Sequence, residues 1–437
     1  MKFYHILRPI ATLAFKTYFK KIDYFGVERI PQGKPLIFSC NHPTGFFEPC
    51  LLACMTWEFD YHFITRGDMF ANPLHRKLME SLNMVPIFRF RDGYANMKNN
   101  GSSMEFIYKA LAENKSILIF SEGGTETKKQ LRPIQKGIAR MAFGNYDQYG
   151  DLDLHIIPVC FTYTDPHHAR SEAMVEFGEP IPLKNYYEQY AQSPPKATTQ
   201  LTADVEKAMK PLLVHIEKEE LTDLLENLFT LYRNTYPLSM LPIFFKSKRR
   251  LWAHQEIVQN VERMDAQNVE ILRGLTDNYF KILKDTHLDD LAVAQPNHAT
   301  TTHLIALILG FIPFAFGWLT HLLPTWYGLK VRNEKVKYLE FKGPVTAAVG
   351  FGVYIFQFLV LLITALIINK LSIVIFVLLL PFMSYFAFIY LDVRQKYRAC
   401  KRLNALIAQN TEGALSLKNE REVILKIVRE NQKSKVS

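Results

Sequence analysis

Apolar residues recur along the chain in two different rhythms. From Asp23 to about Lys184, short apolar runs alternate with amphipathic stretches. Leu36–Cys40, Tyr61–Thr65, Met84–Phe88, Ser116–Phe120, Leu154–Tyr163 and Ala173–Phe177 read as strands. Asp68–Ser81 reads as a helix, and Ser102 with Glu105 forms a capping box for another that runs to about Asn114. This alternation predicts an α/β domain whose strand ends face one region. From about Ala197 to Leu291 the spacing turns helical, as in Met209, Leu212, Leu213 and Ile216, then Leu224, Leu225 and Leu228. Three long apolar runs follow, His303–Leu323, Pro344–Ile368 and Ser372–Leu391. Each is close to the ~20 residues that cross a bilayer.

The expected organisation is an N-terminal helix (1–22), an α/β domain (23–196), a helical region (197–298), a membrane region (299–391) and a charged helical tail (392–437). Runs two (344–368) and three (372–391) are joined only by Asn369-Lys370-Leu371 and so form a spanning hairpin. The loop before that hairpin carries Lys330, Arg332, Lys335, Lys337 and Lys342, and the tail after it carries Arg394, Lys396, Arg398, Lys401 and Arg402. Excess lysine and arginine marks both as cytoplasmic. With the α/β domain on the same side, three full spans do not fit. Run 303–323 is therefore expected to enter and return, bent near Gly310 and Pro313, or to lie buried.

Composition sharpens this picture. Net charge is +10 and hydrophobic residues make up 49% of the chain, with the excess late in the sequence. A basic protein with membrane segments suits anionic lipid headgroups or phosphorylated substrates. Zinc-finger spacing and ribonucleoprotein aromatic motifs are missing, which argues against nucleic acid as a partner. The odd set of Cys40, Cys50, Cys54, Cys160 and Cys400 has no disulfide framework. In the first 21 residues, Arg8 and Pro9 interrupt the apolar stretch, so it does not read as a signal peptide. Two readings stand for it: a helix lying in the membrane interface, or one packed on its own domain.

Four stretches carry chemistry. The first is Asn41-His42-Pro43-Thr44-Gly45-Phe46-Phe47-Glu48-Pro49, just past a buried strand. An imidazole and a carboxylate this close form a base–orienter pair: Glu48 accepts the proton on one ring nitrogen of His42, and the other nitrogen takes a proton from a hydroxyl. The second ends in Arg89-Phe90-Arg91-Asp92; at most one of the two arginines faces the site, and a guanidinium there suits a phosphate. The third is Ser121-Glu122-Gly123-Gly124-Thr125, where paired glycines expose backbone amides and Glu122 accepts from a substrate hydroxyl. Arg132, Lys136 and Arg140 follow at four-residue spacing, as one basic helix face beginning near Pro133. The fourth, His155–Cys160, is a strand whose Pro158 fits an edge or a strand start. His167-His168 lacks a third ligand, and no metal site is expected.

The order NHPTGFFEP, VPIFR, FSEGGT with LRPIQKGIAR, then IIPV resembles the phospholipid/glycerol acyltransferase family over roughly residues 20–185. The later helical and membrane segments resemble its glycerol-3-phosphate/dihydroxyacetone-phosphate branch. The family commonly places four residues between histidine and an aspartate; five separate His42 from Glu48, as in that branch. The family's proline in F-P-E-G is Ser121. The resemblance implies an α/β acyltransferase domain with a helical region and C-terminal transmembrane helices. It also implies a membrane-bound O-acyltransferase, its catalytic domain cytoplasmic, with no bound cofactor. The co-substrate is acyl-CoA or an acyl-carrier protein; the acceptor is glycerol 3-phosphate, dihydroxyacetone phosphate or a lysophospholipid. It gives His42 and Glu48 the catalytic roles and Arg89, Glu122, Gly123, Gly124, Thr125 and Arg132 the substrate-binding ones. A lysophosphatidic acid acyltransferase and a non-catalytic lipid-binding protein on the same fold remain as alternatives. A serine hydrolase is excluded, since no G-x-S-x-G elbow is present.

Overall fold

The computed structural model describes residues 3–88, 100–238, 249–409 and 412–433. The chain forms two compact units, Met1–His215 with Lys335–Ala347, and Ile216–Glu334 with Ala348–Ser437.

The first unit is built on one mixed sheet. Its strands are β1 (Lys21–Phe25), β2 (Leu36–Cys40), β3 (Tyr61–Arg66), β4 (Met84–Ile87), β5 (Ser116–Phe120), β6 (His155–Tyr163), β7 (Glu172–Phe177) and β8 (Ile181–Pro182). They lie in the order β1-β7-β6-β2-β5-β3-β4, with β8 paired to β6. β2 runs parallel to both β5 and β6, and its register sets Cys40 beside Phe120 and Val159. The loops after β2 and β5 therefore leave the sheet side by side. Every residue of β2 is buried, as a central parallel strand covered on both faces requires.

Alternate strand residues feed two cores. Ile37, Ile117 and Ile156 point into one, with α4 (Asn100–Ala112), α5 (Gly137–Tyr149) and α7 (Pro194–Met209), which follows the short α6 (Tyr187–Gln192). Phe38, Leu118 and Ile157 point into the other, with α1 (Phe3–Tyr18) and α2 (Phe47–Met55). A further helix, α3 (Pro73–Ser81), is capped by Asn72, whose side chain accepts from the Leu74 and His75 amides.

Two local expectations change, and a third, left open, is decided. The helix read from Ser102 already begins at Asn100, so Ser102 lies in its first turn instead of capping it. β6 is an interior strand, not an edge. Pro158 is tolerated because the pairings to β8 (His155, Ile156) and β7 (Val159 onward) leave a gap where its missing N–H faces, and its carbonyl accepts from Gly178 N–H at 2.8 Å. The N-terminal helix packs on its own domain, as one of its two readings had it. Tyr4, Phe15 and Phe19 are buried, while Ile6, Ile10 and Leu13 are exposed. Arg8, the residue that interrupts the apolar stretch, is what docks it. Its buried guanidinium donates to the carbonyls of Ala53, Thr56 (2.8 Å) and Phe59 (3.4 Å), closing the C-terminal end of α2.

The second unit is helical throughout its described residues. α8 (Thr222–Thr235), α9 (Arg249–Glu262), α10 (Ala266–Asp285), α11 (Asp290–Ala294) and the terminal α16 (Glu412–Lys433) pack around a buried ion pair, Arg421 with Asp290 at 2.8 Å. α12 (Thr301–Leu309) and α13 (Phe311–Lys335) are bent by 59° where Gly310 separates them, close to the expected break. The pair has the form of a broken span or a re-entrant loop. α14 (Leu339–Ile368) and α15 (Leu371–Ala408) are each long and apolar enough to cross a membrane. Gly317 of α13 lies so close to the backbone at Met383 of α15 that a Cβ would collide with it. Beside it the Thr320 and Ser384 hydroxyls meet at 2.6 Å, Tyr354 donates to Ser384 at 3.1 Å, and His321 reaches the Ser384 carbonyl at 3.0 Å. Small residues and neutral hydrogen bonds are how helices adhere where apolar burial offers no advantage.

Candidate active site

The site begins where β2 ends. Asn41 continues the ladder with its side chain: Nδ2 donates to the Phe161 carbonyl at 3.0 Å and Oδ1 accepts from Phe161 N–H at 2.7 Å. This fixes the direction of the chain for the next residue, His42. The imidazole stacks on Phe120, the last residue of β5, with ring centroids 3.8 Å apart. Its Nδ1 lies 3.0 Å from Glu48 Oε2. His42 is 13% exposed and Glu48 wholly buried, so one member of the pair faces out and the other is held by protein alone.

Glu48 occupies the first turn of α2, where the helix end favours negative charge. Its second oxygen is filled as well. Thr44 Oγ1 donates to Oε1 at 2.8 Å, and the Tyr163 hydroxyl, from the end of β6, donates to Oε1 at 3.0 Å. Burial and the neighbouring Glu48 hold the Tyr163 hydroxyl well above its usual range, so it remains a donor. Sequence reasoning missed Tyr163. It lies far from the motif in the chain, and only the pairing of β2 with β6 brings it there.

The glycine loop behaves differently from its expectation. Glu122 is buried, and its oxygens serve the chain itself: Oε2 accepts from His42 N–H (3.0 Å) and Arg132 Nη2 (2.9 Å), Oε1 from Arg132 N–H (3.0 Å). It is a clamp joining the two loops, where a substrate-facing acceptor was expected. Arg132 also bonds the Gly124 carbonyl and lies in the segment before α5, which starts at Gly137. The basic helix face read across Arg132, Lys136 and Arg140 therefore does not form; Pro133 precedes the helix by a full turn. Gly123 adopts a left-handed φ of 70° that disfavours any side chain. Thr125 follows it within the same loop, and two contacts close that loop over the histidine. Glu126 N–H donates to the His42 carbonyl at 3.2 Å, and the Thr127 hydroxyl to the Pro43 carbonyl at 2.7 Å. Ser121, standing where the family has proline, pairs its hydroxyl with Ser39 at 2.7 Å. Arg89 lies outside the described residues. His168 pairs with Asp165 at 2.8 Å.

A second surprise is the start of α14. Gly45 N–H donates to the Glu340 carbonyl at 3.0 Å, and a Cβ at Gly45 would overlap the Phe341 ring. Gly343 is equally tight against the Pro166 carbonyl. The first turns of this long apolar helix are thus part of the first unit, against the loop between His42 and Glu48.

Residues 21–162 match the acyltransferase family model. The first unit carries an acyltransferase domain. Over 158 residues the chain is 30% identical to glycerol-3-phosphate O-acyltransferase 1 of Saccharomyces cerevisiae, covering 35% of this chain and 21% of that protein. It is 25% identical to glycerol-3-phosphate O-acyltransferase 2 of the same yeast over 215 residues, 49% of this chain and 28% of that one. The chain thus spans between a fifth and a third of the length of these relatives. Among solved structures, the 1-acyl-sn-glycerophosphate acyltransferase of Thermotoga maritima aligns over 46% of this chain and 79% of its own, at 15% identity and a TM-score of 0.33, a likeness too slight to carry an argument. The acyltransferase domain contains the whole set His42, Thr44, Glu48, Phe120 and Glu122, and its matched range stops one residue short of Tyr163.

Proposed function

We propose that the chain is a membrane-bound O-acyltransferase that moves a fatty acyl group from acyl-CoA or an acyl-carrier protein to a hydroxyl of glycerol 3-phosphate or dihydroxyacetone phosphate. The observation that carries this reading is the pair of His42 and buried Glu48 inside an acyltransferase domain. The names of the yeast relatives favour glycerol 3-phosphate as the acceptor. With Nδ1 committed to Glu48, Nε2 takes the hydroxyl proton as the oxygen attacks the thioester carbonyl. The tetrahedral intermediate collapses, the new ester forms, the carbon–sulfur bond breaks, and the departing thiolate takes the proton back from the imidazolium. Glu48 pairs with the transient cation. Such base catalysis is worth about 10²–10⁴ in rate. Amides of the Gly123–Thr125 loop would steady the substrate or the oxyanion. Arg89 would hold the phosphate with Arg132 beside it. α14 and α15 would anchor the domain, and the basic residues flanking them would set it on the cytoplasmic face.

The test uses purified protein in detergent with acyl-CoA and labelled glycerol 3-phosphate, then dihydroxyacetone phosphate, then lysophosphatidic acid, each beside His42→Ala. Product from glycerol 3-phosphate that disappears in the variant supports the proposal. Product from lysophosphatidic acid alone moves the acceptor to a lysolipid. Silence with all three, repeated with an acyl-carrier protein donor, overturns it.

A further inference from the structure

We propose that Tyr163 is a positioning residue of the His42–Glu48 pair: its hydroxyl fixes which oxygen of Glu48 meets the imidazole and keeps that carboxylate an acceptor. The inference rests on the acyl-transfer reading of the site. The geometry is closed on every side. Oε1 takes two donors, Thr44 and Tyr163, which leaves Oε2 for Nδ1. Thr44 belongs to the motif loop and also accepts from Phe47 N–H at 3.2 Å, so it moves with that loop. Tyr163 comes from the sheet. Its ring is held by Phe19 (centroids 5.8 Å apart) and Phe47 (6.3 Å), and it is the donor that ties the carboxylate to the rigid frame. A buried carboxylate that loses a donor pays a desolvation penalty unless it acquires a proton.

The two thiols that face Glu48 stay protonated in the neutral range. Cys40 on β2 is pushed well up by burial and then by Glu48, and Cys50 on α2 is pushed up to about 12, chiefly by burial. Glu122, which accepts from the His42 backbone, is paired with Arg132. The consequence of removing the Tyr163 hydroxyl follows with a definite sign. The pair takes up its proton more readily, so the unprotonated base survives only at higher pH. The acid limb of the rate profile moves up in pH.

The experiment compares full-length wild type, Tyr163→Phe and Tyr279→Phe in detergent. Tyr279 makes the same hydroxyl-to-carboxylate bond to buried Asp290 at 2.6 Å, in the second unit. It controls for the loss of one buried hydrogen bond. Tyr163→Phe is expected to lower kcat by roughly tenfold to a hundredfold with KM little changed, and to shift the acid limb of kcat/KM to higher pH. Tyr279→Phe is expected to lower the unfolding temperature and leave the pH profile in place. The second readout needs no substrate: the His42 ring signal in imidazole-labelled protein, assigned by its loss in His42→Ala, should titrate at higher pH in Tyr163→Phe. A rate profile and His42 titration that overlay the wild type overturn the positioning role, even in an active enzyme. A shifted titration in a protein that acylates no acceptor supports the positioning and sinks the functional reading instead.

Discussion

Two buried carboxylates in this molecule have nearly the same surroundings and differ in one partner. Glu48 accepts from Tyr163, Thr44 and His42. Asp290 accepts from Tyr279 (2.6 Å), Asn234 (2.9 Å) and Arg421 (2.8 Å). Each has a tyrosine, a neutral donor and a base as partners. The difference lies in the base. Arg421 is always charged, is itself buried, and donates from Nη2 to the Leu231 carbonyl and the Thr235 hydroxyl, both at 2.8 Å. That pair joins three helices of the second unit. His42 offers an imidazole, which can both take and give a proton, and its ring keeps some exposure to solvent. That pair keeps a ring nitrogen free of Glu48, and on the proposed reading it is there that the substrate's proton is taken.

The comparison can be broken at several points. The largest expected effect is His42→Ala, which should lower kcat by about 10³-fold or more with circular dichroism and unfolding temperature unchanged. If the ion pair of the second unit is structural, Arg421→Met should do the reverse. It strands Asp290 as a buried, uncompensated charge and should cost about 3–5 kcal/mol of stability, read as a lower unfolding temperature, with the pH profile of the remaining folded enzyme unmoved. Adding Asp290→Asn to that variant should recover part of the loss. Gly45→Ala tests how the dyad is framed. Its new methyl meets the Phe341 ring, so about 1–3 kcal/mol of strain falls on the loop between His42 and Glu48. Activity should drop severalfold or more, and Phe341→Leu in the same chain should restore part of it. The smallest effect concerns the thiols. Burial raises Cys54 to about 11 and Cys50 to about 12 from an ordinary value of 9.0. The unfolded chain then ionises first as pH climbs past about 9. Stability contributed by these thiols is complete below that pH and declines through 11 to 12, measurable as a falling unfolding temperature. Alkylation at pH 8 should leave Cys50 and Cys54 unmodified until the protein is denatured.

Much of the acyltransferase domain was legible because its signals are local. β2 and β5 are short apolar runs ended by polar loops, and strands of this kind announce themselves without reference to neighbours. His42 and Glu48 sit either side of a strand-to-helix corner, so five intervening residues suffice to bring them together. The bend at Gly310 was legible for the same reason: a flexible residue in an apolar run is a local fact. The errors were about environment. Arg132 looked like one member of a helical triplet, yet the helix begins only at Gly137 and the guanidinium turns to Glu122. Glu122 looked free for a substrate, because sequence shows a carboxylate but not the donors that converge on it. Pro158 looked like an edge residue, and only the gap between β7 and β8 makes it acceptable inside the sheet. Arg8 looked only like a break in an apolar stretch and proved to dock the first helix onto the end of α2.

By itself, then, the chain determined the alternation that makes an α/β domain, the paired histidine and carboxylate, and the apolar helices at the far end. Each depends on residues within a turn or a strand of one another, where spacing alone fixes geometry. Tertiary structure decided the rest. The register of β2 with β6 delivers Tyr163 to Glu48, the neighbouring ends of β2 and β5 lock Glu122 onto the backbone of His42, and close approach at two glycines admits the start of α14 beside the motif loop. These contacts join residues far apart in sequence, and a buried donor is chosen by what the folded sheet places within 3 Å of it, which no local pattern records.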